Sequence, residues 1–227
     1  MFLSHIVDNT GYNAKTLIRF IVQVREEGVF VSVYEKLDDI VEINNGYLCT
    51  SEEEKQGVSR NCLANYVHEH NMQHIAHGVY MSEDAWYDEM YIIHLRNKKA
   101  VFSHESALYL HTLIDKEPSN ITITVPSGYN ATHLRKHNYK IFTVAPEIYT
   151  IGIVEKETIF GNKVRVYDID RTICDVIKNK KYFEIHTFQT ALKEYMRSNE
   201  HNLFNLMQYA QSLKITNKVK IYTDVML

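Results

Sequence analysis

Between residues 36 and 81 the chain is broken at short intervals by residues that tolerate left-handed backbone, Asn44-Asn45-Gly46, Gly57, Asn71 and Gly78. No long element fits between such breaks. KLDDIVEINN places Leu37, Ile40 and Val41, with Ile43 beside them, on one helical face and ends at residues suited to a C-cap. Tyr47 to Cys49 read as extended, and Thr50 or Ser51 is placed to cap a short helix, SEEEKQ, stopped by Gly57. Ser59 then caps a longer helix in which Cys62, Leu63, Tyr66 and Val67 point one way and Asn61, Asn65 and His68 the other. MQHI and GVYM around Ala76 and His77 form a small hairpin. Helix, short helix, longer helix and hairpin is the order of a winged helix-turn-helix, in which the third helix enters the DNA major groove.

Composition neither supports nor excludes that reading. With 25 basic and 28 acidic side chains the net charge is -3, so nucleic-acid binding has to come from a local arrangement. Residues 36 to 81 hold three basic groups (Lys36, Lys55, Arg60) against seven acidic ones, a balance of -4. Residues 98 to 227 hold 18 basic and 13 acidic groups, a balance of +5, and can supply part of the phosphate neutralisation that DNA affinity requires. Cys49, Cys62 and Cys174 are scattered and odd in number, which argues against disulfides or structural zinc and for a reducing cytoplasm. LIRFIVQV at 17–24 is interrupted by Arg19 and flanked by Lys15 and Arg25, so it is neither a membrane span nor a signal peptide.

Upstream, residues 13–27 read as a helix and 29–34 as a strand. Residues 82–97, with Glu83, Asp84, Asp88 and Glu89 beside Trp86, Tyr87 and Met90, read as an amphipathic helix connecting two domains. Beyond it the expectation is a helix at 103–113, strands at 120–125 and 139–144, and a type II′ hairpin across Gly161-Asn162 joining ETIF to KVRVY. Helices follow at 168–179, 184–197, 202–213 and 217–225. The expected fold class is therefore α+β. Its parts are an N-terminal extension (1–35), a winged helix-turn-helix (36–82), a connecting helix (83–97) and a mixed α/β C-terminal domain ending in several helices (98–227).

The chain resembles the AbiEi family, antitoxins of type IV toxin-antitoxin systems that act in abortive infection, a phage defence. GVSRNCLANYV and HIAHGVYM look like that family's recognition helix and wing. AVFSHESALYLHTL (100–113), ITITVPSGYN (121–130), VRVYDIDRTICDVI (164–177), ALKEYM (191–196) and LMQYAQSL (206–213) follow in the family's order. The resemblance implies a transcriptional autorepressor that binds double-stranded promoter DNA at inverted repeats. It also implies a C-terminal domain that counteracts a co-encoded nucleotidyltransferase-like toxin without a stable complex. Neither enzymatic activity nor a cofactor is implied.

The DNA-contacting candidates are Ser59, Arg60, Asn61, Asn65 and His68, with His74 and His77 in the wing; arginine pairs with guanine and asparagine with adenine, whereas the plainer reading is a solvated helix face. Tyr80, after the wing glycine, reads as packed on the core. Candidates for antitoxin activity in the second domain are Ser103, His104, His111, Arg165 and Arg171. Ser103 with His104 and His111 also looks like a nucleophile with its base, against which stand packing and helix capping.

Asp168, Asp170 and Asp175 suggest a magnesium site for a rival reading, a nuclease or nucleotidyltransferase targeted by a winged helix. The plainer account is that an aspartate caps the helix, another pairs with Arg171, and Ile173, Cys174 and Ile177 face the core. His133 and His137 lack a third ligand at a familiar spacing, so no metal is expected. A third reading makes the acidic N-terminal unit a protein-interaction module.

Where the family's wing often carries arginine or lysine, this chain has His74 and His77. An imidazole is largely uncharged near neutral pH and gains charge as pH falls. Retardation of a promoter fragment is expected to be weak and salt-sensitive at neutral pH and to tighten towards pH 6; an affinity indifferent to pH over that range overturns the histidine contribution.

Overall fold

The computed structural model describes residues 32–226, with side chains to residue 223. The expected helix at 13–27 lies outside them. The fold is mixed α+β, divided into two compact units at Ala85/Trp86.

The first unit begins with α1 (Val33–Ile43), fixed by a capping box: the Ser32 hydroxyl accepts from the Glu35 amide at 3.0 Å and the Glu35 carboxylate accepts from the Ser32 amide at 2.6 Å. Val33 and Tyr34, expected as the end of a strand, are instead the first turn of this helix, because the reciprocal cap overrides the β-propensity of VFVSVY. There follow β1 (Tyr47–Cys49), α2 (Thr50–Lys55), α3 (Arg60–Glu69), β2 (Gln73–Ala76) and β3 (Val79–Met81). The strands form an antiparallel sheet in the order β1-β3-β2. Leu37, Leu48, Val58, Leu63, Tyr66 and Met72 make the core, with Tyr80 packed against it.

The cap of α2 differs from expectation. Neither Thr50 nor Ser51 caps it; the cap position is Cys49, without a side-chain bond, and the Thr50 hydroxyl donates to the Gly78 carbonyl at 3.3 Å. The hydroxyl thus ties α2 to the β2–β3 turn. Ser59 does cap α3, its hydroxyl accepting from the Cys62 amide at 3.2 Å.

In the second unit the connecting helix is shorter than expected. It is α4 (Glu89–Arg96), started by Asp88, whose carboxylate accepts from the Tyr91 amide at 3.0 Å; residues 82–88 are not helical. A five-stranded sheet has the order β6-β5-β4-β8-β7, built from β4 (Val101–Phe102), β5 (Thr122–Pro126), β6 (Lys140–Val144), β7 (Ile153–Glu157) and β8 (Lys163–Tyr167). Its connections include α5 (His104–Leu110), α6 (Thr132–Lys136) and α7 (Pro146–Tyr149). The hairpin pairs Glu157 with Lys163 across residues 158–162, so ETIF is mostly loop rather than strand. The cause is Thr158, whose hydroxyl donates to the buried Asp88 carboxylate at 2.5 Å while Asn162 donates to the same oxygen at 2.8 Å. These side-chain bonds open the turn.

The chain then runs through α8 (Ile169–Lys178), a single 3-10 turn (Lys180–Tyr182), α9 (Ile185–Arg197), α10 (Leu203–Ser212) and α11 (Thr216–Met226). Every residue of α8 from Ile169 to Ile177 is buried. Ile173, Cys174 and Ile177 meet Phe188, Leu192, Leu206 and Val219 in the main core, as the helical spacing predicts. No helix among the described residues is long and apolar enough to cross a membrane.

Gly46, at φ +87°, links α1 to β1, and a Cβ there meets Ser82 Oγ at 2.3 Å and Ala85 Cβ at 2.6 Å; at Gly57, φ +90°, a Cβ meets nothing within 4 Å. Gly57→Ala is expected to cost only the backbone strain, about 1 kcal/mol, and Gly46→Ala about 3 kcal/mol or more, read as shifts in the urea midpoint. Equal shifts for the two would remove the steric part of this account.

Candidate nucleic-acid interface

The polar edge of α3 follows from its phase. Leu63 and Tyr66 are buried and Cys62 and Val67 partly so, which leaves Arg60, Asn61, Asn65 and His68 in solvent with Ser59 at the helix start. The inner side is held firmly: the Tyr66 hydroxyl donates to Asp38 at 2.7 Å, the His70 ring stacks on Tyr66 at 4.1 Å, and His70 Nε2 lies 3.9 Å from the same carboxylate. Rotation of α3 would break these contacts. His74 on β2 and His77 in the β2–β3 turn are both exposed, His74 leaning on Tyr80 at a ring separation of 5.1 Å.

The charge around this edge was only half legible from the sequence. Arg60, with 84% of its side chain exposed, is held by Glu54 of α2, with Nε to the carboxylate at 3.0 Å and Nη2 at 3.3 Å. The six-residue separation crosses a turn between helices, so helical spacing rules do not reveal the pair. Glu53 beside it is buried, and burial pushes its carboxyl pKa up, against the pull of Lys36. An open cleft of about 470 Å³ elsewhere on this unit is edged by Glu83 and Asp84, the wrong sign for phosphate.

The second-domain candidates are gathered in the interior rather than at a surface. Ser103 is fully buried; it stands at the cap position of α5 but does not cap it, because its hydroxyl accepts from Thr124 at 2.8 Å. His104 Nδ1 lies 3.0 Å from that hydroxyl, and Asn179 Nδ2 lies 3.0 Å from Nε2 while also donating to the Asp175 carbonyl at 3.1 Å. An amide donor at Nε2 assigns the ring proton to Nδ1, pointing at the serine. A base in that state cannot accept the serine proton, so the nucleophile-and-base reading of this pair fails on both access and tautomer. His111 Nε2 bonds the Tyr167 carbonyl at 2.7 Å, which makes that nitrogen the protonated one.

Arg165 is half-buried, donating through Nη2 to the backbone carbonyls of His94 at 3.3 Å and Asn97 at 2.9 Å. Arg171 is 0% exposed: Nε pairs with Asp175 at 3.1 Å, Nη1 donates to the Ile148 and Ile151 carbonyls at 2.8 and 3.0 Å, and the guanidinium lies 4.3 Å from the Tyr167 ring centroid. Asp168 caps α8, accepting from the Arg171 amide at 2.7 Å and from the Tyr209 hydroxyl at 2.8 Å. Asp170 accepts from the Tyr195 hydroxyl at 2.8 Å and the Asn202 amide at 2.9 Å. The three aspartates serve three separate networks, and among the described residues no cluster of three or more ligating side chains is placed to hold a metal.

The chain matches no family model and no curated protein. Among solved structures it is similar in fold to the crystal structure of RV2827C protein from Mycobacterium tuberculosis. The TM-score is 0.51 at 8% identity, over 80% of this chain and 72% of that one. At that identity the likeness concerns fold alone.

Two buried histidines, His104 and His111, and the half-buried His94 give the second unit an acid-sensitive interior. Burial, with Lys140, Arg171 and Lys178 nearby, pushes the His104 pKa down to about 3; burial and Arg165 push that of His94 to about 4, and burial lowers that of His111. Folded, the His104 ring stays neutral to about pH 4, while the unfolded imidazole binds a proton near 6.5. The unfolded state therefore binds more protons below that value, and stability is lost as pH falls from about 6.5 towards 4. Burial raises the pKa values of Asp170 and Asp175, which act in the opposite sense. His104→Asn, tolerant of the φ of +52° at this site, isolates the histidine. Urea unfolding is expected to show wild type losing about 1 kcal/mol more per pH unit than the variant across that window; parallel curves would contradict a neutral buried ring.

Proposed function

We propose that the first unit is a winged helix that binds its own promoter, and that the chain is an antitoxin and autorepressor of the AbiEi type. What carries the reading is the solvent-facing edge of α3, with Arg60, Asn61, Asn65 and His68 in phase on a helix whose other side is pinned by Tyr66 and Asp38. The element order and the β1-β3-β2 sheet support the reading, since a winged helix-turn-helix has helices in this order with a hairpin, here β2–β3, as its wing. The fold likeness, at 8% identity, adds nothing to function, and the antitoxin part rests on the ordered sequence motifs in the second domain.

In this reading Arg60 approaches a guanine or a phosphate, the asparagines approach base edges, and Ser59 with the two wing histidines meets the backbone. The second domain counteracts a nucleotidyltransferase-like toxin through surfaces other than Ser103, His104, His111 and Arg171, which are buried. The aspartates favour a structural account over the enzymatic rival, since Asp168 and Asp170 tie α8 to α10 and α9 while Asp175 pairs with Arg171 within α8.

The Arg60–Glu54 pair yields a test with opposite signs at two positions. An exposed ion pair is weak, so DNA phosphates compete well for the guanidinium. Arg60→Ala is expected to weaken retardation of a DNA fragment from upstream of this reading frame by about tenfold. Glu54→Ala, releasing the arginine and removing a negative charge, is expected to tighten it by about threefold. Unchanged affinity in both variants overturns α3 as the reading helix, and no retardation by wild type favours the protein-interaction alternative.

A further inference from the structure

The second unit carries a groove that no part of the foregoing uses. It is open, has a volume of about 650 Å³, and runs between the end of α8, the start of α9 and α11. Phe183, Phe188 and Tyr222 form its floor, and two isoleucines stand at its edge largely in water, Ile185 at 72% and Ile221 at 64% exposure. Four lysines complete the lining, Lys178, Lys180, Lys181 and Lys218, and no carboxylate is among the described lining residues. None of the four forms an ion pair among the described residues.

Lysines do not gather around exposed isoleucines for the stability of the monomer. The pattern leaves aliphatic surface in water and concentrates like charge, both mild costs to the isolated fold. Lys180 is held in place, its ammonium donating to the Tyr222 hydroxyl at 3.2 Å and lying 4.9 Å from the Phe188 centroid. The charge is therefore fixed at the groove rather than dispersed.

We infer that this groove docks an acidic amphipathic helix of a partner protein, its apolar side on Ile185 and Ile221 and its carboxylates against Lys178, Lys181 and Lys218. Single-stranded nucleic acid is the other polyanion to weigh, and it needs exposed ring faces on which bases stack. Here the rings are recessed or covered by Lys180, and the protruding groups are branched aliphatic ones, which suit the leucine-type anchors of a helix laid in a groove. The inference is independent of how the first unit is read.

The test uses the full chain and a labelled synthetic peptide of about 18 residues, with leucines at positions i, i+3, i+4 and i+7 and glutamates between them. A permuted peptide of the same composition and an oligothymidylate of about 20 nucleotides serve as competitors, with binding read by fluorescence anisotropy. The periodic peptide is expected to bind, and the permuted one about tenfold more weakly. Ile185→Ser with Ile221→Ser, and separately Lys178→Glu with Lys181→Glu and Lys218→Glu, are each expected to weaken it at least about tenfold. All five positions are at the surface, and far-UV circular dichroism confirms that the variants are folded. The inference is overturned if no peptide binds, if both peptides bind equally, if the isoleucine variants bind as wild type does, or if the oligonucleotide is preferred.

Discussion

The second unit depends on a charged helix face placed where charge is hardest to hold. Arg171 and Asp175 lie one turn apart on α8, fully enclosed, and neither is tolerable without the other, because an unpaired ion in that interior carries a desolvation penalty of several kcal/mol. Once the pair exists it organises its neighbours. The guanidinium reaches beyond α8 to the carbonyls of Ile148 and Ile151, fixing the turn that follows α7 and leads into β7. Asp168 and Asp170, on the preceding turn, take the hydroxyls of Tyr209 and Tyr195, so α10 and α9 are each attached to the start of α8 by one phenol. Burial of apolar surface between these helices is not directional, and these polar bonds select one arrangement of them.

The same logic explains why a run of residues that looks chemical is structural. DIDR reads equally as a metal-binding cluster and as a helix start, and the sequence alone cannot separate the two because both need carboxylates close together. What separates them is the supply of partners. Tyr195, Asn202 and Tyr209 lie about 25 to 41 positions away, and nothing in the local pattern announces that their polar atoms converge on these aspartates. Ser103 and His104 show the same ambiguity at shorter range. Their adjacency suggests reactivity, but Asn179, 75 positions along the chain, decides the tautomer.

Local signals were reliable where a single turn of chain decides the outcome. The Asn44-Asn45-Gly46 break, the Ser59 cap and the inward phase of α3 are all visible in the order of residues, because capping and helical periodicity act over three or four positions. Local reading failed where a distant group intervened or an element was too short to show a period. Thr158 and Asn162 are drawn to Asp88, which turns an expected tight hairpin into a wider loop. Strand β4 has two residues, Val101 and Phe102, and owes its existence to pairing with β5 and β8 on either side. The lysines around Ile185 and Ile221 come from separate helices, and only folding brings them together.

Under the proposed DNA-binding role the first unit poses a different problem, since a surface that would meet a polyanion is built on an acidic element. Glu52 and Glu53 favour the start of α2 through the helix dipole, and Glu54, nearer its end, reaches Arg60, the first residue of α3. The pair neutralises the one arginine on the solvent-facing edge of α3, which in the proposed role would limit attraction to arbitrary polyanions. Non-specific affinity for a polyanion rises with each free cation, whereas contacts at base edges depend on geometry. A recognition helix with few free charges loses overall affinity faster than it loses discrimination. In the proposed role the acidity of this unit fits such a balance, because base-edge hydrogen bonds from Asn61 and Asn65 would not depend on net charge, only on α3 being held at a fixed rotation by Tyr66 and Asp38.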